Sequence, residues 1–253
     1  AFKGFLKSDL LVVISLSLIT GLLVKLPEIF SQIQSEFFYT RDLAIIVFNG
    51  LILYTFWQNR LFKGKPLLIY SSIIVLLTLF VNFLPNTQSD SVMLSMIHVP
   101  LFLWCLFGLS FVSFDYKNIQ RRIEFIRFNG ELIIMTGLIL IAGGLLTVIT
   151  IQLFSVIKMN IENFYLHYIA VFGSVAAPIV SSYLIKLYPN LTNRIAPVIA
   201  RVFSPLVLIT LAVYLVSLIF SKNKILEDRD LLILLNIMLL AVMAIIVFSV
   251  SEL

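Results

Sequence analysis

Few side chains in this sequence can do chemistry, and their spacing narrows the options further. There are two histidines, His98 and His167, and a single cysteine, Cys105. One cysteine builds neither a disulfide framework nor a thiolate zinc site. Two histidines in separate apolar runs do not make a metal cluster. His98 stands about eight residues into such a run, two positions before Pro100. A proline removes a backbone hydrogen bond, and broken helices at membrane mid-depth line substrate sites. Together with Asn49 and Asn236, which also interrupt apolar runs, His98 and Pro100 form a candidate polar midplane site for a small or lipidic substrate. Against that stands packing: isolated His, Asn and Gln side chains such as Gln152 commonly hydrogen-bond across helices, worth about 0.6–2 kcal/mol each in lipid.

The second candidate group is ionic. Arg127 and Glu131 lie one helical turn apart in "RFNGELIIMTG", and Arg121, Arg122, Arg194 and Arg201 fall in two nearby basic segments. Guanidinium groups at a membrane surface suit anionic lipid headgroups or an acidic partner. An intramembrane enzyme using Glu131 with a histidine would need both within reach of one substrate, yet Glu131 and His167 are expected near opposite faces. His167, between Tyr165 and Tyr168, fits an interfacial aromatic belt. The phosphate loop GxxxxGK[ST], the zinc pair HExxH and the nucleophile elbow GxSxG are all missing from the sequence. No catalytic residue, metal or cofactor is therefore assigned.

The elements that carry these residues follow from composition. The chain has 253 residues, of which 60% are apolar and 12% charged, with a mean hydropathy of +1.07. Soluble domains run at about 45–50% apolar and about 25% charged, so a water-soluble globule is excluded, and disorder with it. Crossing hydrocarbon takes roughly 20 apolar residues as a helix. Eight stretches come close: 9–24, 42–58, 67–84, 91–113, 131–157, 163–185, 205–220 and 231–250. Runs such as "LLIYSSIIVLLTLF" lack the alternation of a membrane barrel. The prediction is an all-α polytopic transmembrane bundle, one integral membrane domain over 1–253, whose opening apolar run is a retained helix rather than a cleaved signal.

Charge then orients the bundle. Of the 18 Lys and Arg, twelve fall on the face carrying the N-terminal arm and six on the other. The positive-inside rule puts both termini in the cytoplasm. The net charge of +5 is read as basic inner loops facing the bilayer, not as a nucleic-acid surface. Inner segments 114–129 and 190–204 mix Ile, Val and Phe with cations, which suits two short interfacial helices. A solvated basic linker is the alternative. Asp9, Asp42, Asp90, Glu131, Glu162, Asp228 and Asp230 sit where spans are expected to begin, with Ser8, Thr40, Ser89, Asn129, Asn160 and Ser204 as caps. Gly137, Gly143, Gly144 and Gly173 predict a close fifth–sixth helix pair, with Pro178 bending the sixth.

Four segments add a resemblance: 128–154, 176–185, 193–216 and 228–250, with "FNGE", "NRIAPVIARVFSP" and "DRD" as their more specific parts. They resemble the bacterial multi-pass membrane family labelled domain of unknown function 4153. The resemblance implies a bacterial cytoplasmic-membrane protein, with this chain a piece of a longer one, and it carries no reaction or ligand. The function expected is a non-catalytic membrane-embedded scaffold or sensing module with a basic cytoplasmic face. A transporter is the alternative.

Overall fold

The computed structural model describes residues 2–30, 32–85, 89–188 and 195–220, with nine helical positions between 232 and 247. Among the described residues every regular element is helical. In chain order these are α1 Phe2–Val24, α2 Leu26–Ile29, α3 Ser35–Asn59, α4 Lys65–Phe83, α5 Asp90–Phe111, α6 Ile119–Val156 and α7 Glu162–Phe164. A π-helical turn, Tyr165–Ala170, then joins α7 to α8 Val171–Leu187, and α9 spans Ile195–Phe220. Six stretches are long and apolar enough to cross a membrane: Ser35–Asn59, Lys65–Phe83, Asp90–Phe111, Ile119–Val156, Glu162–Leu187 and Pro197–Ser217. Ser8–Val24 is a shorter apolar helix. Most of the eighth predicted span, with Asp228 and Asp230 before it, lies outside the described residues.

The chain divides into two compact units, Ala1–Leu132 with Pro178–Tyr183, and Ile133–Ala177 with Leu184–Leu253. In the first, α3 is the hub and packs against α1, α4 and α5. Val13 of α1, Tyr54 of α3 and Ile179 form one buried cluster, and Ile45, Val81, Val99 and Leu103 form another. Gly50 allows the first: a Cβ there would lie 2.5 Å from Thr20 Cγ2 and 2.9 Å from Ile179 Cδ1. In the second unit Leu153, Phe154 and Ile157 pack on Tyr214, with the Phe154 and Tyr214 rings edge-to-face at 5.6 Å.

Polar groups of α3 hold its neighbours by their ends. A helix leaves its last four carbonyls unpaired, and lipid offers them no donor. Near the start of α3, buried Arg41 donates from Nη1 to the carbonyls of Val81 (2.6 Å) and Leu84 (2.7 Å), and from Nη2 to that of Pro85 (3.1 Å). These are the terminal carbonyls of α4 and its exit. At the other end, Asn59 Nδ2 donates to the carbonyls of Ser110 (3.2 Å) and Phe111 (3.1 Å), the last residues of α5. One helix thus caps two others.

Several sequence expectations are corrected. The inner segments 114–129 and 190–204 are not separate interfacial helices. Residues 119–129 form the first turns of the 38-residue α6, and residues 195–204 begin α9; Arg194 lies outside the described residues. Nothing breaks either run. Gly130 is open to space within α6, and Asn129, expected as a cap, instead accepts from Trp104 Nε1 at 3.0 Å. Pro205 sits inside α9, where the Ser204 hydroxyl donates to the Ala200 carbonyl at 2.6 Å. Pro100 and Pro178 likewise lie inside continuous helices.

Three acids are not helix starts. Glu131 lies within α6. Asp9 is buried within α1 and accepts from Trp57 Nε1 at 3.0 Å. Asp42 lies within α3 and accepts from Asn82 Nδ2 at 3.0 Å. The α3 helix begins seven residues earlier than predicted because Arg41 and Asp42 are partnered inside it, so their charges do not bound the span. Asp90 and Glu162 do occupy first turns. Ser89 precedes α5 without a side-chain cap bond, Ile161 and not Asn160 precedes α7, and Thr40 bonds its own helix. A Cβ at Gly137, Gly143, Gly144 or Gly173 would meet nothing within 4 Å, so these glycines do not mark a tight helix pair.

Candidate functional site

Where the sequence-predicted cations concentrate, the local structure is a strained corner between α5 and α6. Ser113 and Phe114 both adopt left-handed backbone angles, at φ 58° and 62°. For residues with a Cβ that costs roughly 1–2 kcal/mol each. The offsetting contacts are specific. The Phe114 N–H donates to the Leu109 carbonyl at 2.8 Å, and the Phe114 ring stands edge-on to buried Phe56. Arg121 Nη1 donates to Ser113 Oγ at 2.8 Å, closing the turn from the α6 side. Asn118 starts α6: its side-chain oxygen accepts from the Arg121 N–H at 3.2 Å. That is the N-cap bond, and sequence reading missed it because an asparagine among charged neighbours looks like any loop residue.

The first turns of α6 are tied to α5 by rings. Phe125 is buried, with ring centroids 5.5 Å from both Phe107 and Phe111 and 5.8 Å from Trp104. Phe128 lies 4.9 Å from Phe111. Gly108 makes room, since a Cβ there would come within 3.0 Å of the Phe125 ring. Such aromatic pairs add about 0.5–1.5 kcal/mol each beyond area burial. With Phe125 and Phe128 facing α5, helical periodicity turns Ile119, Ile123 and Ile126 the other way. All three are exposed, at 69%, 55% and 71%. This stretch therefore has two apolar faces, one anchored and one open.

The predicted ionic residues distribute around that helix. Arg127 Nε meets Glu131 Oε1 at 3.2 Å, with the Arg127 side chain 72% exposed. The side chain of exposed Arg122 has no ionic or hydrogen-bonding partner among the described residues. Arg201, in the other unit, donates from Nη1 to the Tyr188 hydroxyl at 2.6 Å, its guanidinium 5.6 Å from that ring. The structure therefore pairs Arg127 with Glu131, and directs Arg121 and Arg201 onto hydroxyls that orient them without consuming their charge.

The predicted midplane residues have other partners. Asn49 accepts a hydrogen bond from the Tyr70 hydroxyl of α4. His98 Nδ1 bonds the Leu94 carbonyl of its own helix at 2.7 Å, and no hydrogen bond joins Asn49 to His98. His98 and Ser95 edge an open, largely apolar groove of about 360 Å³ formed with Leu77, Phe80, Leu94 and Phe102. Asn236 occupies an exposed helical position of the second unit. His167 lies in the π-helical turn, its Nδ1 2.9 Å from the Asn163 carbonyl. Among the described residues no group of three or more His, Cys, Asp or Glu side chains forms a metal site. Sequence reasoning missed Arg41 and Asn59, whose caps set how α3, α4 and α5 meet. The chain matches no protein-family model, no curated protein and no solved structure.

Proposed function

We propose that the chain is a non-catalytic membrane-embedded module, a scaffold or sensing element, that engages anionic lipid headgroups or an acidic partner through a basic cytoplasmic face. The observation that carries this reading is the start of α6. Phe125 and Phe128 fix it against α5, while Ile119, Ile123 and Ile126 remain uncovered beside Arg122. An Ile side chain moved from water into an apolar phase gains about 1.5–3 kcal/mol, and each surface cation near an anionic leaflet adds about 1 kcal/mol. A helix so divided favours the headgroup–acyl boundary over water. The apolar helices support a membrane location, and the excess of Lys and Arg in the N-terminal arm and in segments 59–66, 114–130 and 186–204 supports cytoplasmic termini. A bacterial cytoplasmic membrane is proposed on the sequence resemblance of the second half to the family labelled domain of unknown function 4153 alone.

Reconstitution with spin-labelled lipids tests this directly. In the unaltered chain, phosphatidylglycerol should be enriched over phosphatidylcholine in the first lipid shell. Charge reversal at Arg121, Arg122, Arg194 and Arg201 should remove that enrichment. Equal lipid selectivity before and after the four reversals would sink the lipid part of the proposal.

A further inference from the structure

At the opposite end of α3 from Asn59, the first turns of α3 and α5 form a half-open cavity of about 730 Å³, lined in part by Glu36, Phe37, Arg41, Asp90, Met93 and Met96. That volume is within the range of small-molecule sites, about 300–1,000 Å³. Its charges are arranged unevenly. Arg41 is only 5% exposed, and all three of its hydrogen bonds leave from Nη1 and Nη2. Of the five donors of a guanidinium, Nε–H and the second Nη2–H find no acceptor among the described residues. The Phe37 ring, 3.9 Å from the guanidinium carbon, covers one face. A buried, positioned cation with two donors left over lines a cavity, and an oxyanion is what such donors fit.

Glu36 and Asp90 contribute the opposite charge. Both are exposed, and neither carboxylate engages a side chain among the described residues. Met93 and Met96 add a flexible, polarizable apolar part to the lining. A purely anionic ligand would leave two carboxylates facing it. A purely cationic one would leave the Arg41 donors unused beside it.

We propose that this cavity binds a zwitterion, its oxyanion on Arg41 Nε–H, its primary ammonium on Glu36 and Asp90, and its apolar portion along Met93 and Met96. The shared chemistry is that of an aminoethyl phosphate, which arrives either as the headgroup of phosphatidylethanolamine or as a soluble phosphomonoester. The proposal is independent of the basic-face reading, since none of its residues belongs to that face.

The test uses the full chain in lipid nanodiscs, scored by lipid retained in native mass spectrometry. The unaltered chain should retain phosphatidylethanolamine about tenfold over phosphatidylcholine, whose quaternary ammonium has no N–H to donate, the scale of one or two charge-assisted hydrogen bonds. Glu36→Gln combined with Asp90→Asn, both at exposed positions, should bring that ratio to about one. An alkylamine lacking an oxyanion should bind about tenfold more weakly than the phospholipid. Competition by soluble aminoethyl phosphate assigns the site to the headgroup alone, and retention without competition assigns it to the membrane lipid. An unchanged ratio in the double variant, equal binding of the alkylamine, or no preference in the unaltered chain overturns the proposal.

Discussion

The two ends of α3 solve the same problem with different chemistry. Each donates a side chain to the exposed carbonyls of a neighbouring helix, Asn59 to α5 and Arg41 to α4. The amide end is neutral, and its two bonds run from a single nitrogen, Nδ2. Asn59 itself is half-buried, and one turn earlier Phe56 packs against Phe62, Tyr70 and Phe114. The guanidinium end brings a full charge and two surplus donors, and there the structure stays open as a cavity. A neutral cap calls for no polar company beyond the carbonyls it serves. A charged cap favours polar company beyond the carbonyls it serves, because burying an ion with incomplete hydrogen bonding is costly.

Removing the charged cap should have the largest effect. Arg41→Met keeps much of the apolar stem and abandons three carbonyls at once. A hydrogen bond to a charged donor is worth about 1.5–3 kcal/mol and each stranded carbonyl carries its own penalty, so a loss of about 3–5 kcal/mol is expected. Thermal unfolding in nanodiscs at several salt concentrations would measure it, and the loss should be nearly independent of salt because the cap is buried. A loss below about 1 kcal/mol would mean that water or lipid headgroups satisfy the α4 terminus as well as Arg41 does.

Asn59→Leu is the neutral counterpart. It removes two amide–carbonyl bonds but leaves the ring cluster around Phe56 in place. Interhelical hydrogen bonds in membranes average about 0.6 kcal/mol with a maximum near 1.7, so about 1 kcal/mol is expected here. The same unfolding assay applies. Should Asn59→Leu cost as much as Arg41→Met, charge would not be what separates the two ends.

The architecture was legible in outline and the site only in part. Apolar run lengths located the membrane helices, because lipid forces backbone self-satisfaction on any spanning segment. Where the reading failed, it treated charge as a boundary marker. Arg41, Asp42 and Asp9 each sit inside a helix because a distant residue completes them: the carbonyls near Leu84, the amide of Asn82 and the indole of Trp57. No local pattern encodes a partner 40 or more positions away. The fusion of the basic segments into α6 and α9 has a different cause. Helix propagation adds one hydrogen bond per residue and stops only where something breaks it, and neither Gly130 nor Pro205 suffices. The Arg127–Glu131 pair was legible because both its partners lie in one turn.

That pair is the exposed control for the buried arginine. Arg127 and Arg41 are the same side chain in opposite settings, one 72% exposed and meeting a single carboxylate, the other enclosed and meeting three carbonyls. An i,i+4 pair at a helix surface is worth about 0.3–0.5 kcal/mol and is screened by salt. Arg127→Gln should therefore cost no more than that in low salt and almost nothing in about 1 M salt, where the Debye length falls to about 3 Å. The Arg41 loss should persist under both conditions. If Arg127→Gln cost about 2 kcal/mol irrespective of salt, the start of α6 would have to be buried in the working protein, and its uncovered Ile119, Ile123 and Ile126 face would belong against another protein surface and not against headgroups.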